Sequence, residues 1–395
     1  MAYIPELMPA SYCSNYVIYC LTSFYAALFT APVFIRPTYY FFRHPEHLFI
    51  LNAPPSTDSV QPSPAAASEK NASVSLEQLR KPIEAELKEF RSFFKAELKT
   101  NVFLLDQMIR YLHKMKGKEL RPILVLYAAR LCGGISERSY RAATMIELLH
   151  TATLIHDDVV DDAETRRGLL SLNQVWKNKA SILLGDFLLS KGLLVSLDAD
   201  EFALLKIMSR AVKAMSEGEL RQLKASKLQN MTEEKYFEII RDKTASLLAA
   251  CTESGAYTAC EDADTILRMR HIGENLGIAF QIRDDLFDYG SADVGKPVGN
   301  DVRERKITLP FIKALDTCNF LQRRKWKIRF RDKRKSPEEV AEITRFVHQS
   351  GGFAEAEAIM QEYSKKATDS LLLFPESQAR SDMHTLISFI TSRKK

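Results

Sequence analysis

From Leu76 onward, apolar residues recur almost continuously at the three- and four-residue spacing of amphipathic helices, with Gly and Pro confined to the breaks. No stretch alternates apolar and polar residues convincingly, so the pattern predicts an all-α bundle. The longest interruption, Gly290 to Pro310 (GSADVGKPVGNDVRERKITLP), reads as a loop between two helical stretches. No repeat of solenoid period is evident.

The first fifty residues have a different texture. No charged residue lies between Leu7 and Ile35, a run long enough to span a bilayer. Pro9, Asn15 and Pro32 interrupt it, and the basic residues Arg36 and Arg43 follow it instead of preceding it. Three readings of residues 1–52 stay open: a membrane anchor, a targeting or disordered extension, and a start codon assigned upstream of the true protein. Residues 53–73, rich in Pro, Ser and Ala, are expected to be a flexible linker to one large domain, 74–395.

Composition is that of an ordinary globular protein, 46% hydrophobic and 27% charged over 395 residues. The formal net charge of +5 is too small to argue for nucleic acid. Cys13, Cys20, Cys132, Cys251, Cys260 and Cys318 include no C-x-x-C pair and no zinc spacing, which fits a reduced, intracellular protein. The expected location is the cytoplasm, with the N-terminal extension as the route to any membrane association. A basic run, Arg323 to Lys335, reads first as a solvated surface and second as a contact for anionic lipid.

Two aspartate clusters carry the candidate chemistry. Asp157, Asp158, Asp161 and Asp162 close an apolar stretch that begins near Ala142, and on a helix Asp157 and Asp161 share a face with His150 two turns back. Gln281, Asp284, Asp285 and Asp288 repeat the arrangement. Carboxylates stacked four apart destabilise a helix by a few tenths of a kcal/mol each. Hard divalent cations offset that repulsion, and magnesium prefers carboxylate oxygens together with substrate phosphates. A solvated acidic face is the bland alternative, but both clusters are embedded in core-like sequence, LLHTATLIHDDVV and GIAFQIRDDLF. Lys118, Arg121, Arg166, Arg167, Lys243, Lys296 and Lys306 supply the forks and point charges that two diphosphates need.

Six motifs in order then carry a resemblance: G-K-x-x-R-P (Gly117 to Pro122), D-D-V-V-D-D-A-E-T-R-R-G (Asp157 to Gly168), G-D-F-L-L (Gly185 to Leu189), Lys243-Thr244, F-Q-I-R-D-D-L-F-D (Phe280 to Asp288) and G-K-P (Gly295 to Pro297). From about Val74 to the end, the chain resembles the trans-isoprenyl diphosphate synthases, the polyprenyl synthetase family. One departure is Lys116-Gly117 where the family has a double glycine. The resemblance implies an all-helical isoprenoid-synthase bundle around a deep central cavity, usually in a homodimer. It implies Mg2+ held by Asp157, Asp158, Asp161, Asp284, Asp285 and Asp288. Arg166, Lys243, Thr244, Gln281, Lys296 and Lys306 would contact the allylic diphosphate, and Lys118, Arg121, His150 and Arg167 the isopentenyl diphosphate.

The implied reaction is condensation of the two diphosphates, with metal and cations stabilising the leaving diphosphate and Lys243 and Gln281 steadying the chain's origin. A terpene cyclase would share the first motif but carry N-D-x-x-S-x-x-x-E as its second. A non-catalytic subunit would lack aspartates or the arginine pair; all are present here. In the family, residues four and five before the first aspartate set product length, and here they are Thr153 and Ala152, both small, with Phe187 a candidate floor. A long-chain all-trans product, a quinone side-chain precursor, is expected over a farnesyl or geranylgeranyl one.

Overall fold

The computed structural model describes residues 75–115, 117–228, 230–290 and 299–392. The extension 1–52, the linker 53–73 and Lys296 with its G-K-P motif lie outside the described residues. The described chain opens at Ser75, which caps α1 (Leu76–Arg80) reciprocally with Gln78. There follow α2 (Glu84–Glu97), α3 (Phe103–Lys114), α4 (Leu120–Cys132) and α5 (Glu137–Val160). After a short hairpin come α6 (Leu172–Leu197), α7 (Phe202–Leu228) and α8 (Glu233–Ile240), which runs through a π turn (Arg241–Ala245) into α9 (Ser246–Tyr257). The chain continues through α10 (Ala263–Asp288), α11 (Asn300–Arg303), α12 (Leu309–Asp316), α13 (Phe320–Arg331), α14 (Pro337–Gln349), α15 (Gly352–Leu372) and α16 (Gln378–Ser392).

The all-α expectation holds. The one sheet among the described residues is a two-residue hairpin, β1 (Thr165–Arg166) against β2 (Leu169–Leu170). Its turn residues Arg167 (φ 52°) and Gly168 (φ 79°) both adopt the left-handed conformation that two-residue hairpins favour. Strands of two residues are too short to leave an alternating pattern in sequence.

Helix α10 lies against α9 and α15, α9 against α4, and α5 along α6. The cores of α4, α5 and α9 are apolar over most of their circumference, as helices buried on several sides must be. Two glycines let the π turn sit unusually close to its neighbours. A Cβ on Gly277 of α10 would stand 2.5 Å from the Ala245 Cα, and one on Gly218 of α7 would stand 2.8 Å from the Lys243 amide nitrogen. The turn carrying Lys243 and Thr244 is thereby held between α7 and α10.

Candidate active site

Each aspartate cluster occupies the C-terminal end of a long helix, α5 or α10. There the helix dipole presents negative potential, so the carboxylates are opposed by the macrodipole as well as by each other. Asp161 is the residue that caps α5, and Asp157 is half-buried one turn earlier. Burial and the nearby Glu219 push the Asp157 carboxyl above its ordinary range, while Lys243 opposes them. Asp157 on α5 is therefore within electrostatic reach of α7 and the π turn.

The second cluster lines a cavity of about 340 Å³ with Lys243, Thr244, Gln281 and Lys306. Asp284, Asp285 and Asp288 all face it. The Thr244 hydroxyl donates to Gln281 Oε1 at 2.7 Å, and Gln281 Nε2 donates to Asp285 Oδ1 at 2.9 Å. The Tyr236 hydroxyl donates to the other Asp285 oxygen at 2.5 Å. Burial, with the charge of Asp301, pushes Asp285 up to about 8 despite those bonds. Asp301 rises to about 7 through burial and the charge of Asp288. Asp288 itself accepts from the amides of Asn300 at 2.8 Å and Asp301 at 3.0 Å, which fastens the end of α10 to the start of α11.

A larger cavity of about 640 Å³ is lined by Asp158, Arg166 and Arg167 with Gly117 and the apolar Phe90, Phe94, Leu154 and Ile155. Arg167 donates to the Met115 carbonyl at 2.8 Å. Arg166 grips the buried Asp158, its Nε at 2.9 Å and its Nη2 also in contact. Lys243 likewise pairs with Glu219, and Lys306 with Glu304 at 2.6 Å. Each of these three cations already holds a carboxylate.

Residues 102–347 match the family described as "Polyprenyl synthetase". The chain belongs to the polyprenyl synthetase family. It is 33% identical over 315 residues to the all-trans-nonaprenyl-diphosphate synthase (geranyl-diphosphate specific) of Rhodobacter capsulatus, covering 79% of this chain and 96% of that one. Among solved structures, a polyprenyl synthase from Caulobacter crescentus CB15 complexed with calcium and isoprenyl diphosphate superposes with TM-score 0.75 at 32% identity, covering 82% of this chain and all of that one. A geranylgeranyl pyrophosphate synthase from Bacteroides thetaiotaomicron gives TM-score 0.69 at 35% identity, covering 80% and 99%.

The synthase is a prenyltransferase of a family that uses divalent metal, and its carboxylates fit such an ion. Asp157 and Asp161 end one helix, Asp284 and Asp288 the other, and burial raises the carboxyls of Asp157, Asp288 and Asp301, with neighbouring acids adding to the effect at Asp157 and Asp301. Among the described residues no three His, Cys, Asp or Glu side chains converge into a closed metal cage. Magnesium-type ions are held by one or two carboxylates plus phosphate oxygens and waters, so a cage is not what this chemistry requires.

The other sequence candidates of the synthase fall as follows. His150 is buried, and burial together with Arg121, Arg167 and Arg166 holds its ring well below the usual range, so the imidazole is neutral at physiological pH. Burial lowers Arg121, partly offset by Glu147. Lys118, Arg121 and His150 line neither of the two cavities, although Gly117 and Glu119 of the same G-K-E-L-R-P segment line the larger. Ala152 is buried in an apolar cluster with Leu184 and Leu188, against which Phe187 packs. The Thr153 hydroxyl turns back to the His150 carbonyl at 2.9 Å. The α5 residues that line the larger cavity are instead Thr151, Leu154, Ile155 and Asp158, together with Glu147.

Sequence reasoning missed Tyr236, Asp301, Glu219 and Gln222, the last accepting from Lys243 at 3.3 Å. Glu219 and Gln222 share a face of α7 at a spacing of three, a signal that was available. It also missed a clamp on the G-K-E-L-R-P segment. Glu119 (φ 54°) receives Arg91 through two bonds, at 2.9 and 2.7 Å, and Arg80 at 3.1 Å. Nothing local announces contacts made between residues 28 and 39 positions apart.

Proposed function

We propose that the protein extends an allylic diphosphate with isopentenyl diphosphate, in the presence of Mg2+, to a long-chain all-trans polyprenyl diphosphate. The observation that carries this reading is that two helix-terminal aspartate clusters share their cations. Lys243 and Lys306 line the cavity of the second cluster, while in the first Asp157 feels the charge of Lys243 and Asp161 acts on Lys306. Magnesium bound by Asp157, Asp161, Asp284 and Asp288 would neutralise the departing diphosphate. Asp158 and Asp285, each bonded to a protein partner, join that set once Arg166, or Tyr236 and Gln281, turn to substrate.

In this reading Arg166, Lys243, Lys306, Thr244 and Gln281 hold the allylic diphosphate, with Lys296 of the G-K-P motif. Lys118, Arg121, Arg167 and the neutral His150 hold isopentenyl diphosphate. The apolar wall of Phe90, Phe94, Leu154 and Ile155 excludes water from the electron-poor allylic carbon. No protein nucleophile is required. The likeness to a nonaprenyl synthase supports the long product.

A homodimer is part of the proposal. Helix α6 buries Leu184, Leu188 and Val195 but exposes Val175, Ile182, Leu183, Leu193, Leu194 and Leu197. That outward stripe suits a second copy of itself across a two-fold axis. We place the enzyme in the cytoplasm, with membrane contact for release of its product.

The test is mass analysis of the products that purified full-length protein makes from farnesyl and isopentenyl diphosphates with Mg2+. Products longer than geranylgeranyl diphosphate are expected. Arrest at geranylgeranyl would overturn the chain-length assignment, and absence of any condensation would overturn the whole reading.

A further inference from the structure

The helix α13 (FLQRRKWKIRFR) contains no acidic residue. Its inner side is fixed: Trp326 stacks on Phe346 with ring centroids 4.0 Å apart, and the buried Phe330 stacks on Phe311 at 4.2 Å. Two of its cations are matched, Arg323 by Asp316 at 2.7 Å and Arg329 by Glu342. The side-chain charges of Arg324, Lys325 and Lys327, with Lys333 and Arg334 just beyond, form no ion pair among the described residues. Beside them stand three large apolar side chains in the open, Phe320 at 77%, Leu321 at 74% and Ile328 at 58% exposure. Leu321, Arg324, Lys325 and Ile328 fall at spacings of three, four and seven, so one outward face mixes cations with apolar groups.

We propose that this face of α13 docks on an anionic lipid bilayer. Phosphate headgroups supply the missing counter-charges, and Phe320, Leu321 and Ile328 enter the headgroup–acyl boundary, the arrangement of interfacial amphipathic helices. A polyanion such as RNA would satisfy the cations but would leave Leu321 and Ile328 in water. The purpose, though not the surface, rests on the product proposed above, a chain too apolar to leave through water. Because Trp326 and Phe330 anchor the helix from behind, the face is presented already formed and needs no folding on the membrane.

The experiment uses the full chain, wild type against Arg324→Glu/Lys325→Glu/Lys327→Glu and against Phe320→Ser/Leu321→Ser. Flotation is measured with phosphatidylglycerol-containing and with pure phosphatidylcholine vesicles. Expected is a several-fold drop in the bound fraction for both variants on anionic vesicles, a loss of wild-type binding as salt rises, and slowed hydrogen exchange over residues 320–335 when vesicles are added. Flotation of the charge variant equal to wild type, together with exchange over residues 320–335 that vesicles leave unchanged in the wild type, overturns the proposal; the exchange readout is local to α13 and independent of residues 1–52. So does a result in which a polyuridine competitor removes binding and the Phe320/Leu321 variant floats like wild type, which marks a polyanion site instead. Turnover of a short, soluble allylic primer is expected to be unchanged in both variants. Failure of turnover in the wild type speaks against the proposed function, whereas intact turnover with unaltered flotation and unaltered exchange over residues 320–335 speaks against the lipid surface alone.

Discussion

Asp157 and Asp284 are placed where a negative charge is least welcome, near the ends of α5 and α10 and beside other carboxylates. Their tolerance there points to cations supplied with the substrate. Asp157→Ala and Asp284→Ala are expected to lower turnover by about 10²-fold or more, the scale of losing one preorganised charge-stabilising contact. Far-ultraviolet circular dichroism should be unchanged, and near-normal turnover at saturating magnesium would remove both residues from the site. A second expectation concerns pH. Asp285 and Asp301 have folded-state values raised to about 8 and about 7. A carboxyl raised on folding contributes stability that is fully present below its unfolded value and is lost as pH rises through the folded one. Protein stripped of divalent ions should therefore melt at lower temperature at pH 9 than at pH 6. Magnesium with diphosphate should raise the melting temperature more at pH 9, and a melting temperature flat over that interval would contradict the burial of these carboxyls. The aspartates themselves were legible in the sequence because their spacing repeats locally. Tyr236 was not, since its bond to Asp285 joins residues 49 positions apart.

At the level of elements, the turn that carries Lys243 and Thr244 is a π turn in an otherwise continuous helix, pressed between Gly218 and Gly277. Extra-wide turns of this kind are frequent at functional sites. Gly277→Ala forces a methyl against the Ala245 backbone and should cost about 1–3 kcal/mol, as overpacking does. Urea denaturation measures the loss, and steady-state kinetics should show a raised KM for the allylic substrate, because Lys243 moves with the turn. Unchanged stability would mean that α10 and the turn separate freely. The helices were readable from apolar periodicity, but the π turn was not, because one inserted residue leaves that periodicity nearly intact. The β1–β2 hairpin escaped for the opposite reason: Arg167 and Gly168 specify a turn, yet its strands are too short to show a period.

Taken as a whole, the proposed site draws on α5, α7, the π turn, α10 and the segment after α11, and only the family likeness foretold that assembly. The outward stripe of α6 follows the same logic, since a helix apolar enough by length and composition to cross a membrane here keeps one face in the core and the other outside. Leu183→Asp/Leu194→Asp should convert a dimer to a monomer in size-exclusion chromatography with light scattering, and an unaltered mass would assign the stripe another role. The same gathering of elements sets Arg166 on Asp158, Lys243 on Glu219 and Lys306 on Glu304. In the proposed reading a diphosphate entering here would not meet bare cations; it would displace resident anions, so its affinity would be the difference between two sets of ion pairs. Such exchange blunts the dependence of binding on ionic strength, since charge is swapped instead of newly neutralised. It would also leave Glu219 and Glu304 free to retake Lys243 and Lys306, easing the spent diphosphate out before the next round of elongation.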